Sequence, residues 1–132
     1  MKNLKAAFIM IMVIITTSCK KEPARSPLIG QWELTAGING LNGEKTEYAS
    51  GKGNITKFTD TEYETMQGGK TIRKGTYSII NYKAMITEKE ERQIVYDGKA
   101  NDTKNYFSIN GKTLIISVDA YDGSSSIYTK IN

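Results

Sequence analysis

The side chains that could do chemistry in this chain are few. Among 132 residues there is no His and one Cys, so neither a Ser-His or Cys-His pair nor a Cys/His zinc cluster can be assembled. Carboxylates, Lys, Tyr and Ser remain. Glu88, Glu90 and Glu91 lie together with Lys89 and Arg92. Two of those carboxylates could form an acid/base pair of the kind that hydrolyses glycosides, but at a charged strand end they read as a solvated face. The stretch 97–102 (DGKAND) is rich in oxygen ligands. It lacks the alternating ligand spacing and the terminal bidentate Glu of a calcium loop, so it reads as a polar loop. Eight tyrosines stand out, and Tyr48, Tyr82, Tyr96 and Tyr121 fall near expected turns, where rings could stack on a sugar or an apolar ligand. The composition therefore points to a protein that is not an enzyme and needs no cofactor or metal.

Charge excludes a further class. The 18 basic and 14 acidic residues give +4, and removal of residues 1–18 with Lys2 and Lys5 would leave 16 basic residues. The basic residues are scattered rather than gathered into a stripe, so nucleic acid is not an expected partner.

The first residues read as an address. Met1 to Lys5 is short and basic, and Ala6 to Ile15 is an unbroken apolar run of ten residues. As a helix that run would rise about 15 Å, half of a hydrocarbon core of about 30 Å. It suits a signal-peptide core and not a permanent span. Thr16-Thr17-Ser18-Cys19 follows, and this order resembles the lipobox of bacterial lipoproteins, with Thr16 where Leu is commonest. The composition suits a Bacteroidetes genome. The resemblance implies cleavage after residue 18, a diacylglyceryl thioether on Cys19 and a third acyl chain on its amine, such as palmitate. Each buried methylene contributes about 0.8 kcal/mol, and several chains hold where one does not. An ordinary cleavage site with a free thiol is the alternative. The expected organisation is a signal peptide over 1–18, a lipidated tether over 19–27 and one domain over 28–132. The location is then the cell envelope, anchored in the outer membrane and facing either side of it.

The elements that must position any site are short strands. Alternation and β-branched residues recur, punctuated by Gly, Asn and Asp, and no window has helical periodicity. Strands are expected over 31–36, with Trp32, Leu34 and Ala36 on one face and Gln31, Glu33 and Thr35 on the other. Others are expected over 55–59, 62–67, 71–80, 83–88, 106–109, 113–118 and 126–131, and 94–96 is either a strand or an arm of a loop. Turns fall at Asp60-Thr61, Gly68-Gly69, Asn81-Tyr82, Asn110-Gly111 and Asp122-Gly123, and 37–53 is a loop. About eight strands in hairpin order must hide their edges, which an antiparallel up-and-down β-barrel does. An open sandwich is the alternative.

Leu28-Ile29-Gly30-Gln31-Trp32-Glu33-Leu34 resembles the Gly-x-Trp opening strand of the lipocalin superfamily. Phe58-Thr59-Asp60, Gly75-Thr76-Tyr77-Ser78-Ile79 and Ile109-Asn110-Gly111-Lys112-Thr113-Leu114 resemble later pieces of small lipocalin-like lipoproteins. The resemblance implies an all-β, lipocalin-like barrel in which Gly30 lets the chain cross close beneath the barrel, Trp32 plugs one end and Lys130 lies over Trp32. Lys replaces the usual Arg there, and no flanking C-terminal helix follows the last strand. Besides Trp32 and Leu34, the residues expected inward are Phe58, Tyr63, Tyr77, Ile79, Ile86, Phe107, Ile109, Leu114, Ile116, Val118 and Tyr128. Of these, Phe58, Tyr63, Tyr77, Phe107 and Tyr128 are the expected ligand-lining residues. Two functions follow. In one, a monomeric barrel binds a small apolar or amphipathic molecule between loops 37–53 and 95–105. In the other, a filled barrel is a scaffold for another envelope protein. Interior volume separates them.

Overall fold

The computed structural model describes residues 23–100 and 103–132. The leader, Cys19 and the start of the tether lie outside the described residues. The described chain is all-β, with nine strands: β1 (Gly30–Ile38), β2 (Lys45–Glu47), β3 (Ile55–Phe58), β4 (Glu62–Gln67), β5 (Lys70–Lys83), β6 (Glu90–Tyr96), β7 (Asn105–Asn110), β8 (Thr113–Val118) and β9 (Ser125–Lys130). From β3 onward each strand pairs antiparallel with the next, and β1 pairs with both β3 and β9. Eight strands therefore close into a barrel, and β2 is an extra strand on the remaining edge of β1.

Period-two alternation selects the inner face. Trp32, Phe58, Tyr63, Tyr77, Ile94, Phe107 and Leu114 all face inward and are at most 6% exposed, with Leu28 beneath them. Ile79, Ile109, Ile116 and Tyr128 pack against this ring, while Leu34 and Val118 are half-buried. A bulge at Thr35 shifts the register between Leu34↔Tyr128 and Ala36↔Ile127. It re-phases β1, which then runs on to Ile38, and leaves an edge for β2 inside what reads as a loop.

Three sequence expectations need correction. The chain does not turn at Asn81-Tyr82, because β5 continues through Lys83 on an unbroken ladder with β6. The turn comes at 84–89, closed by the Ala84 N–H to Lys89 O bond of 2.9 Å. The amides of Met85 and Ile86 also donate to the Asp119 carboxylate at 2.8 and 2.9 Å, so a distant acceptor fixes the turn. No strand spans 83–88, and Ile86 is 40% exposed instead of inward. Residues 94–96 belong to a seven-residue strand. Glu33 faces away from Trp32 but is buried, because the loop after β2 covers it and the Gly51 amide donates to its carboxylate.

Candidate functional site

The two ends of the barrel are built differently. At one end the chain enters through a turn in which the Ile29 N–H reaches Ser26 O at 3.3 Å. Trp32 is 1% exposed, and its indole N–H donates to Leu28 O at 2.7 Å. Burying an indole demands such an acceptor. Lys130 stands opposite Trp32 in the β1–β9 ladder, with Nζ 5.2 Å from the ring centroid. Gly30 has φ +131°, and a Cβ there would come within 2.5 Å of Asn132 O and 2.7 Å of Lys130 Cε. Only glycine tolerates both the angle and the approach.

Tyr77 completes this plug. Its hydroxyl lies 2.6 Å from Thr59 O, to which it donates, and 2.6 Å from Ser26 Oγ, which then donates to it. Its ring meets Phe58 edge-on at 5.1 Å. Burial first, opposed by Ser26, holds the Tyr77 hydroxyl above its ordinary pKa, so it stays a neutral donor. A groove of about 760 Å³ runs beside the plug between residues 23–27 and the β5 residues Tyr77 to Ile79.

At the other end the interior is not filled by rings. Leu34, Thr56, Thr65, Ile72, Tyr128 and the flanking Tyr48 line a space of about 290 Å³. Of the five expected ligand-lining residues, Tyr128 alone lines it. Phe58, Tyr63, Tyr77 and Phe107 are spent in the core ring, since rings fill a narrow barrel quickly. Of the two loops expected at the rim, 37–53 contributes Tyr48 to the lining and 95–105 contributes none of its described residues.

Next to the lining residues Thr65 and Ile72, Arg73 belongs to a cluster that sequence reading passed over. The Arg73 guanidinium lies 5.2 Å from the Tyr63 ring and 4.9 Å from the Tyr96 ring, which themselves meet edge-on at 4.7 Å. Asp97 accepts the Tyr63 hydroxyl at 3.0 Å and the Thr76 amide at 3.1 Å. Desolvation raises the Asp97 pKa, but these two bonds and the Arg73 charge outweigh it and hold the carboxyl below its ordinary range. Tyr63 is raised, by desolvation and then by Asp97. Tyr96 is raised, by burial and then by the neighbouring Tyr128. The inner-face alternation of Gly75 and Tyr77, carried two residues back, reaches Arg73 and is the signal that could have found it.

Arg92 makes a similar contact near the core, 4.6 Å over the Phe107 ring. No group of three or more Cys, Asp or Glu side chains among the described residues is placed to hold a metal. Nor does any helix among them have the length and apolarity to cross a membrane, a statement that says nothing of strands. Compared with protein-family models, with curated proteins and with solved structures, the chain matches none.

Proposed function

We propose that this chain is a lipid-anchored envelope protein, held through Cys19, whose lipocalin-like barrel takes a small apolar or amphipathic molecule at its open end without transforming it. The observation that carries this reading is the asymmetry of the barrel. The interior at the end where the chain enters is stoppered by Leu28, Trp32 and Tyr77, leaving the groove of about 760 Å³ beside the plug, whereas the far end keeps a space of about 290 Å³ against the inner-face residues Leu34, Thr56, Thr65 and Tyr128. That volume is at the low end for ligand pockets, which start at about 300 Å³, so the ligand is small. An anchor on the plugged side leaves the mouth pointing away from the membrane.

Native mass spectrometry of the full chain, purified in lipid nanodiscs from its own kind of host, tests the reading. A discrete added mass that organic extraction removes is the expected result. It should vanish in an Ile72→Glu variant, which places a charge on the wall at a position 60% exposed and so compatible with folding. A bare polypeptide mass, unchanged after incubation with lipid and sugar extracts, would sink it.

One observation favours the scaffold reading. Leu41 and Tyr121 are 80% and 90% exposed, on loops that touch where Gly40 packs against the Asp122 backbone. Replacement of both by Ser should abolish capture of an envelope partner if the barrel is a scaffold, and change nothing if it is a ligand carrier.

A further inference from the structure

We propose that Arg73 is the head-group anchor of the open end, and that the molecule bound there carries a carboxylate. This rests on the small-ligand reading above and narrows it to a chemical class. Arg73 does not itself line the space, but the register sets it opposite Thr65, which does, and its chain neighbour Ile72 is part of the wall, so the fork stands one residue from the lining. Rings on two strands hold the guanidinium: Tyr63 from β4 and Tyr96 from β6. The two ring faces steady the guanidinium by cation–π attraction, and a planar fork of this kind can meet a carboxylate with two parallel bonds.

Asp97 pairs with one nitrogen of the fork only. Nη2 stands 3.6 Å from Asp97 Oδ2, longer than a hydrogen bond, with the Arg73 side chain 55% exposed. Asp97 draws its own donors from Tyr63 and Thr76. The ion pair therefore engages Nη2 loosely and leaves the other guanidinium nitrogens for a ligand. The walls beyond the fork are Leu34, Ile72 and Tyr128, with the Thr56 and Thr65 hydroxyls 3.4 Å apart between them. A short aliphatic or single-ring body suits that space.

Hexanoate and hexanamide, nearly equal in size and differing in charge, separate the head-group claim from the claim of a binding space. Ligand-observed saturation-transfer NMR on the full chain in nanodiscs, with empty nanodiscs as the blank, gives both affinities. Hexanoate should bind at least about tenfold more tightly than hexanamide. Arg73→Gln should abolish that preference, and Arg73→Lys, with the charge but not the fork, should restore only part of it. Asp97→Asn removes a repulsive charge and should tighten hexanoate alone, by about two- to fivefold, a gain that structural damage does not produce. Equal binding of the two probes, or a preference that survives Arg73→Gln, overturns the assignment of Arg73 while leaving the open-end site standing. Binding of neither probe overturns both.

Discussion

At the scale of single residues, Asp97 and Gly75 form one device. Asp97 adopts φ +55°, the left-handed region that Asp tolerates better than most side chains. Its carboxylate occupies the place where a Cβ on Gly75 would be. Gly75→Ala should therefore expel the carboxylate from the Thr76 amide and lower the melting temperature. In that background Asp97→Ala should cost little more, a non-additivity that a double-mutant cycle reads directly. The same residue sets an acid limb. Asp97 and Asp119 are both held below their ordinary pKa, so they bind fewer protons folded than unfolded. Their stabilisation is complete above about pH 4 and is lost as the pH falls through the folded values. Thermal melts between pH 7 and pH 2 should show this, with a shallower acid slope in Asp97→Asn. None of it was legible in the run from Asp97 to Asp102, because a polar loop gives no sign that its first carboxylate faces a gap in the next strand.

The elements were more legible than the residues, and for a physical reason. A hairpin such as β7–β8 or β3–β4 is specified locally, by alternation and by the turn between its strands, so its bounds are recoverable to within a residue or two. The β4 span of 62–67 and the β8 span of 113–118 emerge unchanged from the pattern. The β5–β6 hairpin is specified from a distance. Asn81 and Tyr82 look like a turn, but the acceptor that fixes the real one is Asp119, more than thirty residues away. Asp119→Ala should release that turn at a cost of about 1 kcal/mol. Hydrogen exchange should speed up at Met85 and Ile86 and hardly change in β7. The bulge at Thr35 was hidden in the same way, because it is a property of the pairing between β1 and β9 and not of β1 alone.

For the whole molecule the core is a ring of side chains drawn from every barrel strand except β9, whose Tyr128 packs against it, so its loss is felt globally. Trp32→Ala removes the largest member and strands the Leu28 carbonyl. It should cost about 3–5 kcal/mol in denaturant unfolding. Tyrosines set the alkaline limit of the fold. Tyr63, Tyr77, Tyr96 and Tyr128 are all raised above their ordinary pKa, chiefly by burial, so their stabilisation is intact below about pH 10 and is lost as the pH rises through the folded values. Tyrosinate absorbance and unfolding should therefore appear together in an alkaline titration.

The closure of the barrel has a mechanical consequence. The Gln31 N–H reaches Asn132 O at 2.9 Å and the Ile131 N–H reaches Gln31 O at 2.9 Å, so the start of β1 and the residues after β9 meet at the plug. β1 is clamped along its length by β9 on one edge and by β3 and β2 on the other. A load applied between the start of β1 and the end of β9 would peel that seam one rung at a time, at low force. A load applied between the start of β1 and the far rim would shear all the rungs of β1 together. A barrel held at its plug and pulled at its rim is thus strained along its stronger direction.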